Sequence, residues 1–286
     1  MPDYPRSLLV FEHIPKTAGS TMHGILWSLY GNAQVYFSTH RHRHPEYMEA
    51  LTKRLQNPSH SLKVIVSHTG FGFHERLPGS YHYDHFTFLR NPVERVISQY
   101  YFQIQRGQLD AATSLETFVR EDLGRSCNVQ TAFMSGLELK HNLGEITLSR
   151  DLYTEALLEK AKAGLHRQTA IGLTERFDES LLLFKKVFGW KSIRLFYVRR
   201  RIGWLRRERP PVSEQLLELI RRYNALDLEL YRYGRTLYAR QLAEHFADGK
   251  PDVKTFQRLN AVYGRLYPLA RPVVHTARAL KKQLSS

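Results

Sequence analysis

Short apolar runs alternate with segments of helical period along the first third of the chain. Ser7 to His13 (SLLVFEH), Gln34 to Phe37, Leu62 to Ser67 (LKVIVS) and His85 to Leu89 (HFTFL) read as strands. Ser20 to Tyr30 and Pro45 to Gln56, lying between them, carry helical spacing. Strand alternating with helix predicts an α/β fold, a parallel sheet with helices on both faces. Helix dominates afterwards. Pro92 to Gln105 opens with proline in its first turn, which suits a fixed φ. Ser114 to Asp122 begins at a capping serine. Asp151 to Lys162 is amphipathic, and Thr169 to Leu173 and Ile193 to Val198 read as late strands around a helix from Glu175 to Phe188. Ser213 to Tyr233 reads as one long helix with Leu216, Leu217, Ile220, Tyr223 and Leu230 along one side. From Gly249 the pattern stays helical but turns basic, with no carboxylate after Asp252. The expected division is one domain over 1–248 and a basic helical extension over 249–286, where Arg265, Arg271, Arg278, Lys281 and Lys282 lie.

Composition narrows this frame. With 286 residues, 42% of them hydrophobic, the chain can bury a full core. No apolar run approaches the roughly 20 residues of a membrane-spanning helix. Met1 to Ser7 is too short and polar for a secretory signal, so the expected location is cytoplasmic. Cys127 is the only cysteine, which rules out an intrachain disulfide and a cysteine-based zinc site. The formal net charge of +15 favours anionic ligands. Nucleic acid, acidic lipid, acidic glycan and a polyphosphorylated cofactor all satisfy it.

Three motifs choose among these. The first, His13-Ile14-Pro15-Lys16-Thr17-Ala18-Gly19-Ser20-Thr21, joins a strand end to a helix start. Unpaired N–H groups and the dipole at such a start favour an anion. Gly19 admits close backbone approach, Ser20 and Thr21 add hydroxyls, and Lys16 adds a mobile charge. A Walker A loop needs its lysine after the second glycine, whereas Lys16 precedes the only glycine here. An ordinary capped strand-to-helix turn would share this string. The second motif runs from Phe88-Leu89-Arg90-Asn91-Pro92 to Ser98-Gln99-Tyr100-Tyr101. Arg90 can fork onto a phosphate, and Ser98 can offer it a hydroxyl. Tyr100, Tyr101 and Phe102 read as core and pocket lining. The third, Val66-Ser67-His68-Thr69-Gly70-Phe71-Gly72-Phe73-His74, places two histidines just past a strand.

Together these segments resemble the sulfotransferases that use 3′-phosphoadenosine 5′-phosphosulfate (PAPS), in particular the branch containing the heparan sulfate 2-O-sulfotransferases and many bacterial relatives. Cys127-Asn128-Val129-Gln130-Thr131 and Ile171-Gly172-Leu173-Thr174-Glu175-Arg176-Phe177 are similar to further family segments, so the likeness covers about Leu8 to Tyr233. Two positions depart from the pattern: Ser67 replaces a glycine, and Ala132 stands where relatives often carry arginine. The resemblance implies a three-layer, P-loop-NTPase-like parallel sheet flanked by helices. It implies that Lys16, Thr17, Ala18, Gly19, Ser20 and Thr21 hold the 5′-phosphosulfate of PAPS. It assigns Arg90 and Ser98 to the 3′-phosphate, His68 to the base that deprotonates an acceptor hydroxyl, and Lys16 also to charge on the leaving group. No metal is expected, since cationic side chains suffice for sulfuryl transfer.

The expected acceptor is a carbohydrate hydroxyl, on an acidic or neutral glycan, with no nucleic acid as partner. His74 reads either as a second histidine near the acceptor or as part of a helix start. The His40-Arg41-His42-Arg43-His44 stretch reads as a polar or acceptor-facing loop rather than a metal site. The arginine-rich run Arg194 to Arg209 suits either a solvated loop or a surface for an acidic acceptor. The C-terminal basic helix has a short apolar face, which leaves little for peripheral contact with an anionic membrane. A phosphate-loop kinase and a non-catalytic binding module for nucleic acid or acidic glycans are the competing functions. The first lacks a correctly placed lysine, and the second explains the charge but not the motifs.

Overall fold

The computed structural model describes residues 7–38, 45–57, 59–137, 153–191, 195–198, 211–247 and 249–267. One sheet contains β1 (Ser7–Glu12), β2 (Val35–Ser38), β3 (Val64–Ser67), β4 (His82–Leu89) and β5 (Ala170–Leu173). The spatial order is β2-β3-β1-β4-β5, and every pairing is parallel. Parallel neighbours need crossovers. Two are α1 (Gly19–Tyr30), between β1 and β2, and α2 (Pro45–Gln56), between β2 and β3. After β4 come α3 (Pro92–Gln105), α4 (Leu115–Glu121), α5 (Leu123–Ser126), α6 (Val129–Met134) and α7 (Glu155–His166). Beyond β5 lie α8 (Phe177–Phe188), α9 (Glu214–Tyr223) and α10 (Ala225–His245). The α/β architecture expected from the alternating pattern is present.

Period two along β1 explains the layers. Leu9 and Phe11 join Val64, Val66, Phe86 and Phe88 beneath Met22, Ile25 and Leu26 of α1 and Phe184 of α8. Leu8 joins Ile65 on the opposite face, beneath Met48, Leu51 and Leu55 of α2. With both faces covered, the strands carry near-continuous apolar runs. The same alternation sends Glu12 to the α2 face and His13 to the α1 face. On the side of Glu12, α10 closes tightly on β4, where a Cβ at Gly234 would lie 2.3 Å from Leu89 Cδ1.

Three expectations about elements change. The helix predicted over 213–233 is two helices, broken at Asn224 (φ −120°, ψ 32°). The break is used: Asn224 Oδ1 accepts from the Asn128 N–H at 3.0 Å, and its Nδ2 donates to the Ile220 carbonyl at 2.9 Å. Residues 195–198 are not a strand, although Leu195 and Tyr197 are buried and Val198 is exposed. The Tyr197 N–H donates to Asn260 Oδ1 at 2.8 Å instead of to a neighbouring strand. The amphipathic segment predicted from Asp151 forms α7, capped by Thr154 at the Leu157 N–H, and Asp151 itself lies outside the described residues. Residues 253–267 are helical, and Phe256 packs into the main core.

Candidate active site

The junction between β1 and α1 leaves its helix start without a side-chain cap or an acid, an arrangement that can receive an anion. Lys16 (φ 71°) and Ala18 (φ 67°) both adopt left-handed backbone, which costs a residue with a Cβ about 1–2 kcal/mol. Ala18 is the N-cap and has no side chain to satisfy the first-turn N–H groups, and no acid lies in that turn. Helix starts in water normally recruit such a cap. Thr17 is buried and spends its hydroxyl on the Ile14 carbonyl at 2.8 Å, so only its backbone faces the loop's task. Ser20 is exposed and Thr21 half-buried. Gly19 has a further reason beyond close approach of a ligand: a Cβ there would lie 1.6 Å from His13 Nε2.

His13 carries no role in the sequence-based assignment, yet it contacts the expected base directly. His13 Nδ1 lies 2.9 Å from His68 Nε2, and His23 of α1 stands edge-on to the His13 ring at 4.8 Å. Burial, then the neighbouring His68 and His23, hold the His13 pKa well below the ordinary imidazole value. Burial, then His68, lowers that of His23 to about 4. Both rings are therefore neutral near pH 7. His23 shows no sequence signal, because its one-face helical spacing matches an ordinary core position. Ser67, the departure from the family glycine, is buried and pairs its hydroxyl with Thr69 at 3.1 Å.

The second junction meets the first. Arg90 Nη1 donates to the Lys16 carbonyl at 3.1 Å, so the arginine bridges the two loops. Lys16 Nζ sits 3.7 Å over the Phe102 ring. Its pKa falls to about 8, through burial first and then the nearby Arg90, Arg106 and Arg95. A lysine so placed among cations is stabilised by any anion that binds beside it. Ser98 lies half-buried two turns into α3. Arg95 is fully buried, with Nη2 on the Arg125 carbonyl at 3.0 Å and neither Nε nor Nη1 hydrogen-bonded among the described residues. It borders a cavity of about 160 Å³ that Pro15, Gln99 and Gln103 also line.

The downstream motifs brace this junction. Gln130 accepts from the Arg90 N–H at 2.9 Å and donates to the Arg90 carbonyl at 2.8 Å. Glu175 accepts from the Asn91 N–H at 2.7 Å and from the Tyr231 hydroxyl at 3.0 Å. Asp227 in turn accepts from the N–H groups of Gln130 and Thr131. These residues were legible as motif letters, but their role depends on separations of 40 to 97 positions. Ala132 is buried in the small cluster with Val129, away from any ligand role.

One residue past His68 begins a cavity of about 390 Å³, lined by Thr69, Phe71, Arg76, Lys160 and Arg167 among others. His74, read either as a second histidine near the acceptor or as part of a helix start, does not line it. It sits in a short 3₁₀ turn, Phe73–Arg76, with its ring 4.1 Å from that of His85. The His40–His44 stretch, Arg194, the arginines at 199–209 and the basic residues beyond 267 lie outside the described residues. Among the described residues, no helix is long and apolar enough to cross a membrane.

Residues 4–138 match a family described as the sulfotransferase family. Heparan-sulfate 6-O-sulfotransferase 2 of Gallus gallus is 26% identical over 189 residues, which cover 57% of this chain and 46% of that protein. Heparan-sulfate 6-O-sulfotransferase 1 of Cricetulus griseus is 28% identical over 193 residues, with the same two coverages. The human form of the latter is also 28% identical, over 44% of its length. The chain thus spans less than half the length of these curated relatives. Their names give the 6-O position, whereas the motifs resembled the branch with 2-O enzymes. Residues 4–138, which hold both loops and His68, are thus the part of the chain that is similar to the sulfotransferase family.

Proposed function

We propose that this protein transfers the sulfuryl group of PAPS to a hydroxyl on a carbohydrate. The observation that carries the reading is the meeting of two strand-to-helix loops, Arg90 on the Lys16 carbonyl, around an uncapped helix start without acids. These residues fit a bisphosphorylated nucleotide: a helix start with no side-chain cap, the cations Lys16 and Arg90, and a buried guanidinium at Arg95 whose Nε and Nη1 have no hydrogen-bond partner among the described residues. PAPS supplies the activated sulfuryl group. Backbone N–H groups from Thr17 to Ser20 and the Thr21 hydroxyl hold the 5′ phosphate, while Arg90 and Ser98 hold the 3′ phosphate. Lys16 neutralises charge on the departing phosphate oxygen. Positioning and charge dominate such in-line transfers, so no metal is needed for this step.

His68 takes the proton of the acceptor hydroxyl, as a residue of near-neutral intrinsic pKa does well. His13 orients it. Held neutral by burial, His13 Nδ1 accepts the His68 Nε2–H, which leaves the lone pair of His68 on Nδ1 for the acceptor. The cavity beyond Thr69 presents Arg76, Lys160 and Arg167 to the acceptor, a lining suited to an acidic glycan. The relatives' names make heparan sulfate the first acceptor to test.

Calorimetric titration of adenosine 3′,5′-bisphosphate against wild type and Arg90→Ala tests the reading, with ATP–Mg²⁺ as control. Micromolar or tighter binding of the bisphosphate, weak binding of ATP, and a loss of about 1.5–3 kcal/mol in the variant are expected. Equal, salt-sensitive binding of all polyanions would instead make the protein a basic binding module.

A further inference from the structure

A second titratable cluster lies on the opposite side of β1 from the His13–His68 pair. Glu12 is fully buried at the end of β1, and His85 is almost as buried on β4. His74, on the 3₁₀ turn, completes the group, and one ligand atom from each of the three lies within 4.8 Å of the others. Glu12 Oε1 and His85 Nδ1 are 3.3 Å apart but not aligned as a hydrogen bond. Among the described residues, Glu12 Oε1 and Oε2, His74 Nδ1 and His85 Nδ1 have no hydrogen-bond partner.

Such a group is costly to bury. A carboxylate taken out of water without partners loses its solvation with nothing to replace it, and buried polar atoms in folded proteins are nearly always satisfied. One shared proton does not solve the problem. An imidazolium at His85 would serve one carboxylate oxygen and leave the other oxygen and His74 Nδ1 unsatisfied. A divalent cation at the centre satisfies all three side chains at once. Two imidazoles and one carboxylate are a zinc-type donor set, which leaves a fourth position for water. Zinc ligand distances of about 2.0–2.1 Å require the three atoms to draw in to roughly 3.3 Å of one another. We propose that Glu12, His74 and His85 bind a zinc-class divalent cation that fastens the 73–76 turn to the sheet.

The placement gives the cation a structural role. It ties β1, β4 and the turn together on the α2 side, behind the segment that runs from His68 into the large cavity. It takes no part in sulfuryl transfer. One neighbour opposes it. Arg167 Nη2 lies 3.3 Å from His74 Nε2, and donation there would put the His74 proton on Nδ1, where the cation must bind. Ligation moves that proton to Nε2 and releases Arg167 to Glu75, which already holds its Nη1 at 3.1 Å. Removing Arg167 should therefore tighten binding.

The test is calorimetric titration of chelator-treated, dialysed full-length protein with Zn²⁺, with X-ray absorption at the zinc edge on the loaded sample. Wild type should take up one equivalent in a nitrogen- and oxygen-ligated shell containing two imidazoles, and its melting temperature should rise on loading. Glu12→Gln and His85→Gln should weaken binding at least tenfold, and Arg167→Ala should strengthen it. His23→Gln reports on the other histidine trio, His13, His23 and His68, whose ligand atoms are also within 4.8 Å. That variant should bind zinc as wild type does. Failure of wild type to bind a stoichiometric equivalent overturns the proposal whatever the variants do. So does loss of binding in His23→Gln with retention in His85→Gln.

Discussion

The two strand-to-helix junctions of the site start their helices in opposite ways. At α3, Asn91 Oδ1 accepts from the N–H groups of Val93 and Glu94, and Pro92 removes a further donor. At α1, Ala18 offers nothing, and two residues that are not glycine hold left-handed backbone. The first junction caps its own helix and, braced by Gln130 and Glu175, serves to aim Arg90. The second stays open and strained, as sites that await a ligand often are. A capped and an uncapped helix start thus stand side by side, at the carboxyl ends of the neighbouring strands β1 and β4.

The largest expected effect removes the proposed base beside the open junction. His68→Ala should lower kcat/KM for sulfate transfer by about 10²–10⁴. Affinity for adenosine 3′,5′-bisphosphate should stay within twofold, which calorimetry checks alongside the transfer assay. Gly19→Ala comes next. Its Cβ would strike the His13 ring, so a loss of roughly 1–3 kcal/mol is expected in denaturant unfolding. Pairing it with His13→Ala should restore most of that stability, because the clash is removed.

The third prediction concerns pH. With its pKa near 8, Lys16 loses its charge above that value when no ligand is bound. An anion favours the protonated form, so bisphosphate affinity should fall as pH rises through about 8, by up to tenfold per unit. Binding at pH 8.5 should take up a proton, detected by calorimetry in buffers of different ionisation enthalpy, and Lys16→Met should abolish the uptake. The smallest effect belongs to the closed junction. Asn91→Ala should cost about 1 kcal/mol of stability. An equivalent change at the open one, Ala18→Gly, should raise stability instead, since glycine adopts the left-handed backbone freely.

The fold could be read far along the chain because its signals are local. Strands such as Val64–Ser67 are short apolar runs, and α3 announces itself through Asn91 and Pro92. The break at Asn224 was not readable, because helical period continues across it and only the distant Asn128 rewards the kink. Burial of Leu195 and Tyr197 imitated a strand, since alternation records which side chains are covered and not what the backbone bonds to.

The same division runs through the site. By itself the sequence determined the two strand-to-helix loops, with Lys16 and Arg90 in them, and a histidine after the central strand. Turn chemistry, charge and helix starts are set by neighbours along the chain. Only the tertiary structure decided that His13 would reach His68, that Gln130 and Glu175 would brace Arg90, and that Glu12, His74 and His85 would converge behind the sheet. Those pairings join residues 40, 55, 73 and 84 positions apart or more subtly across one strand's two faces, and parallel crossovers alone bring them together.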